Sequence, residues 1–134
     1  MKLVPLVLAA MLTVFPALAE EPAASIQAVI ADQIGDFQRS DVGEAFAHAA
    51  PNIQGMFQTP ERFGEMVRKS YPMVWRPASW QMRELVQTGS GPVQVVLFQD
   101  AQGRFHEAGY LMERIGGVWR IAGVKLREVP GVGT

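Results

Sequence analysis

Apolar residues recur along this chain in two rhythms, and the change between them falls near Pro77. Ahead of Pro77 they return every three or four positions, as one face of a helix requires. After it they alternate within runs rich in Val, Leu, Phe and Trp, separated by Gly-containing turns. From about Ser25 to Gln38, the residues Ile26, Val29, Ile30, Ile34 and Phe37 form one stripe and leave Asp32, Asp36 and Gln38 to the water side. Asp41 followed by Glu44 has the capping pattern of a helix start. Val42, Ala45, Phe46 and Ala49 share the face that follows, and Pro51 ends it. His48 falls on the side of Glu44 as an exposed helix pair. Thr59-Pro60 opens a third helix with Phe63, Met66, Val67 and Tyr71 on one side and Arg62, Glu65, Arg68 and Lys69 on the other, and Pro72 stops it.

Four strands are predicted beyond this point, at Trp80 to Thr88, Val93 to Gln99, Phe105 to Ile115 and Val118 to Glu128. The turns between them, Gly89-Ser90-Gly91-Pro92, Asp100-Ala101-Gln102-Gly103 and Gly116-Gly117, make neighbouring strands antiparallel. With Gly116 and Gly117 as a two-residue loop, Ile115 pairs with Val118, Arg114 with Trp119, Glu113 with Arg120, Met112 with Ile121 and Tyr110 with Gly123. That register groups Tyr110, Met112, Trp119 and Ile121 on the core side. Pairing Gln99 with Arg104 adds His106 and Ala108 to it, opposite Leu97 and Val95, and puts Phe98, Phe105, Leu111 and Val118 on the outer face. The apolar phase changes at Ala122-Gly123, which reads as a bulge or sharp bend and implies a curved sheet.

The beginning of the chain obeys neither rhythm. Lys2 precedes an almost unbroken apolar run from Leu3 to Phe15 that closes on Pro16-Ala17-Leu18-Ala19, the pattern of an export signal cut after Ala19. Pro5 and Pro16 leave the helix between them short for a bilayer span, and no Lys or Arg cluster follows as a stop-transfer flank. The expected organisation is a signal peptide over residues 1–19, a flexible stretch over 20–24, a single domain over 25–128 and a flexible tail over 129–134. Its compartment is then periplasmic or secreted, with no membrane span after cleavage. With no cysteine, stability has to come from packing. The 12 basic and 13 acidic residues contain no basic block, so the electrostatic footprint of nucleic-acid binding is missing.

The order of three helices and four long antiparallel strands, closing on Gly116-Gly117-Val118-Trp119-Arg120-Ile121-Ala122-Gly123, resembles the nuclear-transport-factor-2-like superfamily. That resemblance implies an α+β cone of the NTF2-like or cystatin-like kind, with three N-terminal helices packed in the concave face of a strongly curved four-stranded antiparallel sheet. More narrowly, Pro51-Asn52-Ile53-Gln54-Gly55-Met56-Phe57, Thr59-Pro60-Glu61-Arg62-Phe63, Tyr71-Pro72-Met73-Val74-Trp75-Arg76-Pro77 and the closing Trp-Arg-Ile strand are similar to an exported bacterial family known as a domain of unknown function. The similarity covers about residues 25–128. The superfamily holds isomerases, dehydratases, ligand carriers and assembly modules, so it implies no particular catalytic residue.

Candidate chemistry is sparse. His106, expected on the concave side near Tyr110, is the candidate acid or base, with Tyr110 to orient a ligand carbonyl or hydroxyl. Asp32, Asp36, Glu107 and Glu113 all fall on the wrong faces to complete such a site, which leaves only Glu84 to turn inward. With His48 and His106 the only histidines, neither a metal nor another cofactor is expected. Tyr71, Trp75, Trp80, Met82, Tyr110, Met112 and Trp119 are candidates to line an apolar pocket, with Tyr71-Pro72 through Arg76-Pro77 at its mouth. The expected role is therefore non-catalytic binding of a small apolar molecule or an envelope protein. Two alternatives stand beside it: an isomerase, dehydratase or hydrolase using His106 and Tyr110, and a module that forms a homodimer through Phe98, Phe105, Leu111 and Val118 on its outer face.

Overall fold

The computed structural model describes residues 2, 3, 5, 10 and 20–130. The signal peptide expected over residues 1–19 lies almost wholly outside the described residues, and so does the end of the expected tail. Helix α1 spans Glu20–Gln38, α2 Val42–Ala47, α3 Pro51–Phe57, α4 Pro60–Ser70 and α5 Pro72–Trp75. The strands follow as β1 Ser79–Thr88, β2 Gly91–Gln99, β3 Phe105–Ile115 and β4 Val118–Val129. The fold is α+β, with one open antiparallel sheet in the order β1-β2-β3-β4. Residues 20–24, expected to be flexible, lie within α1, and Val129, expected in the tail, pairs with Phe105.

Five helical segments replace the expected three among the described residues. Pro51 and Pro72 each end one predicted helix, but proline also suits the first position of a helix, where its missing N–H is not needed, and both residues begin new ones. The two capping predictions are matched by side-chain oxygens that accept from the right backbone groups: Asp41 from Glu44 N at 3.1 Å and Thr59 from Arg62 N at 3.2 Å. Helix α2 stops at Ala47 instead of reaching Ala49. His48 to Ala50 runs beside β4 instead, where Ile121 N donates to His48 O and Ala50 N donates to Ile121 O, both at 2.8 Å. That short parallel bridge covers part of β4, which would otherwise be a bare sheet edge.

The β3–β4 hairpin has the expected register from Ile115–Val118 to Met112–Ile121. Ala122 then bulges, so that Tyr110 faces Val124 and not Gly123. The β2–β3 register differs by one residue. Gln99 pairs with Phe105, placing Phe98 opposite His106 and Val96 opposite Ala108. The cause is local: Asp100 Oδ1 accepts Gln102 N and Arg104 N, each at 2.9 Å, and this closes a loop one residue longer than the sequence suggested. Phe98, expected on the outer face, is therefore fully buried. In β1 the register shifts between Met82 and Leu85, and Glu84 is exposed instead of turning inward.

The core lies between the helices and one sheet face. Ile26, Ile30, Ile34 and Phe37 of α1 meet Val96, Phe98, Ala108, Tyr110, Met112 and Ile121 of the sheet in a single buried cluster. Phe63 gathers the other helices around it, with ring centroids 5.9 Å from Phe37, 5.4 Å from Phe46 and 5.7 Å from Phe57.

Candidate functional site

Between the helices and the β4 end of the sheet lies a cleft of about 370 Å³. Gln33 and Phe37 of α1, Ile53, Met56 and Phe57 of α3, and Phe63 and Met66 of α4 form its helical side. Tyr110 of β3 and Ile121 to Val124 of β4 form the sheet side. The bulge at Ala122 matters here, because it turns the Ala122 carbonyl to Asn52 Nδ2, which donates to it at 2.9 Å and ties α3 over the opening. Gln54 Nε2 holds the same helix from the other side, donating to Phe46 O at 3.1 Å. Met56, 71% exposed, stands at the rim.

The lining is apolar apart from Gln33, Asn52, Tyr71 and Tyr110; among the described residues it contains no Asp, Glu, His, Lys or Arg. Gln33 Nε2 donates to Ala45 O at 3.0 Å, and Asn52 is held as described. Tyr110 is 1% exposed, and its buried hydroxyl has no hydrogen-bond partner among the described residues. Burial raises the pKa of that phenol, which keeps it a neutral O–H donor.

Of the pocket residues read from the sequence, Tyr71 and Tyr110 line this cleft. Trp75 packs behind it, 5.6 Å from the Phe37 ring, and Met112 is buried opposite Ile121. Trp80 and Met82 pair with Phe98 and Val96 at the far side of the sheet. Trp119 borders a second hollow with Pro22, Ser25 and Arg114. What sequence reasoning missed is α3, whose Ile53, Met56 and Phe57 form one wall. The usable signal was Pro51 followed by an apolar residue at every third or fourth position, Ile53, Met56 and Phe57.

His106 is placed elsewhere. It is buried, with Nε2 2.8 Å from Asp100 Oδ2, and Arg104 Nε donates to the same oxygen at 3.1 Å. The bond to His106, joined by the backbone N–H groups of Arg104 and Gln102, holds the Asp100 pKa down at about 2. His106 and Tyr110 share the inner face of β3, yet only Tyr110 reaches the cleft.

Asp36 corrects a second expectation. Read as facing water, it is 4% exposed; Arg39 donates to its Oδ1 at 2.5 Å, and His48 Nε2 stands 3.3 Å from its Oδ2. His48 thus faces Asp36 and not Glu44, because α2 ends before it. Burial raises the Asp36 pKa, opposed by His48 and Arg39 and reinforced by Asp41 and Glu44. Neither this acid nor Asp100 lines the cleft. Among the described residues no group of three or more His, Asp or Glu side chains could hold a metal ion, and no helix is long and apolar enough to cross a membrane.

Fold and cleft together define a small α+β domain with an apolar recess that no ionisable Asp, Glu, His, Lys or Arg lines among the described residues. The chain belongs to the family described as "Domain of unknown function (DUF4864)", whose model matches residues 19–134. No curated protein and no solved structure matches it.

Proposed function

We propose that this chain is an exported, non-catalytic domain that holds a small, mainly apolar molecule in the cleft between α3, α4 and the bulged end of β4. The observation that carries this is the cleft itself. At about 370 Å³ it falls within the usual range of ligand pockets, roughly 300–1,000 Å³, and its lining is apolar without an acid–base pair among the described residues. An enzyme built on His106 and Tyr110 has less support, since His106 is engaged by Asp100 away from the cleft. Packing of the helices on one face of a bulged four-stranded meander supports the cone architecture of the nuclear-transport-factor-2-like superfamily.

Support for export comes from Lys2, the apolar run to Phe15 and the small residues Ala17 and Ala19. Two measurements test the proposal. Native mass spectrometry of protein recovered from an exporting host is expected to show a bound small molecule that dissociates on activation; protein free of any adduct, and unmoved in thermal shift by apolar probes, removes the ligand reading. N-terminal sequencing of the same material is expected to begin at Glu20, and a chain retaining Met1 in the cytoplasmic fraction removes the export reading.

A further inference from the structure

We infer that the molecule taken by the cleft is uncharged and carries one hydrogen-bond acceptor, a carbonyl or ether oxygen, which receives the hydroxyl of Tyr110. This rests on the cleft being a binding site and names the chemistry that it selects. Three observations converge on it.

The first is the absence of any Asp, Glu, His, Lys or Arg among the described lining residues, so that a charged group brought into the cleft loses its water and meets no opposite charge. A fatty carboxylate and an amine are disfavoured alike. The second is that Gln33 and Asn52 each use one amide N–H on the protein, donating to Ala45 O and Ala122 O, and these bonds fix the walls and the direction of both amides. The third is the Tyr110 hydroxyl, enclosed in the sheet wall with no protein partner among the described residues. A buried donor without an acceptor is costly to keep, and a ligand oxygen reaching that wall removes the cost on binding. Tyr71 is part-exposed, so its hydroxyl has no comparable burial cost, and the remaining surface, with Met56, Met66, Phe57 and Ile53, asks only for apolar bulk.

Three probes of equal chain length separate the possibilities: 2-nonanone, nonanoate and nonane, each titrated into the protein that begins at Glu20. The methyl NMR signals of Met56 and Met66 report whether the cleft is the place of binding. The ketone is expected to shift both signals and to bind roughly three- to tenfold more tightly than the alkane, the gain of about one neutral hydrogen bond. Nonanoate at neutral pH is expected to bind more weakly than the ketone. In Tyr110→Phe the preference for the ketone over the alkane should disappear. The empty variant should melt at the same temperature as the parent or higher, because it loses a donor that had no acceptor.

Equal binding of ketone and alkane to the parent protein overturns the inference and leaves the cleft a plain apolar site; this comparison needs no variant. Tighter binding of nonanoate also overturns it. A marked fall in the melting temperature of empty Tyr110→Phe shows that the hydroxyl is already satisfied and overturns it too. Silence of Met56 and Met66 towards all three probes instead removes the binding role of the cleft, and the inference with it.

Discussion

Two buried aspartates, Asp36 and Asp100, make opposite contributions to stability, and their surroundings give the sign of each. Asp100 is held at about 2 by His106, followed by the N–H groups of Arg104 and Gln102, so its folded-state pKa lies below the unfolded value. Its contribution is present above the unfolded pKa and is lost as pH falls through the folded one. Asp36 is raised, chiefly by burial. Its charge opposes folding at neutral pH, and that penalty fades as pH falls through the folded value towards the unfolded one. Asp100→Asn should therefore melt below the parent at pH 7, with the difference closing as pH falls from about 4 to 2. Asp36→Asn should melt above the parent at pH 7, and the gain should shrink as acid protonates the parent's Asp36. Thermal melts of both variants across this range check the two signs. A destabilised Asp36→Asn at neutral pH would show that Arg39 and His48 outweigh the burial.

At the scale of elements, Gly64 lets α4 pass close to α2. A Cβ added at Gly64 would lie 2.3 Å from Val42 Cγ1 and 3.0 Å from Val42 Cβ. Alanine is a better helix former than glycine by about 1 kcal/mol, but overpacking costs about 1–3 kcal/mol, and a stub this close to a β-branched carbon forces the helices apart. Gly64→Ala should lower the free energy of unfolding by as much as about 2 kcal/mol in urea, and Val42→Ala added to it should restore part of the loss. Unchanged stability in the single variant would mean that α2 yields freely. The strands, α1, α4 and the bulge at Ala122 were legible because period and punctuation agree there. Helix α3 was not, since Pro51 signals a stop and a start with the same residue. The burial of Asp36 and the face of Phe98 were hidden for another reason: the end of α2 and the length of the Asp100 loop decide them, and both involve polar contacts that the apolar pattern does not encode. The cleft inherits this limit, with Tyr71 and Tyr110 foreseen and the α3 wall not.

Across the whole molecule the two sheet edges are treated differently. The His48–Ala50 segment covers part of β4, while β1 lies at the open end of the strand order. An uncovered strand invites pairing with another chain, and β1 carries two features that oppose it. Its register breaks between Met82 and Leu85, and the residues in the break, Arg83 and Glu84, are charged and exposed. The break is anchored from inside by the fully buried Gln94, whose Nε2 donates to Arg83 O at 2.8 Å. Replacing both charges by valine keeps the anchor and supplies β-branched side chains, leaving a longer apolar edge that runs on into Leu85 and Val86. Arg83→Val/Glu84→Val should therefore keep the parent's circular dichroism at low concentration but form larger species as concentration rises, read by light scattering on a sizing column. A double variant that elutes as the parent does over the same range would show that the backbone irregularity alone protects the edge. In that case Gln94→Leu, which removes the anchor, is the substitution expected to bring on association.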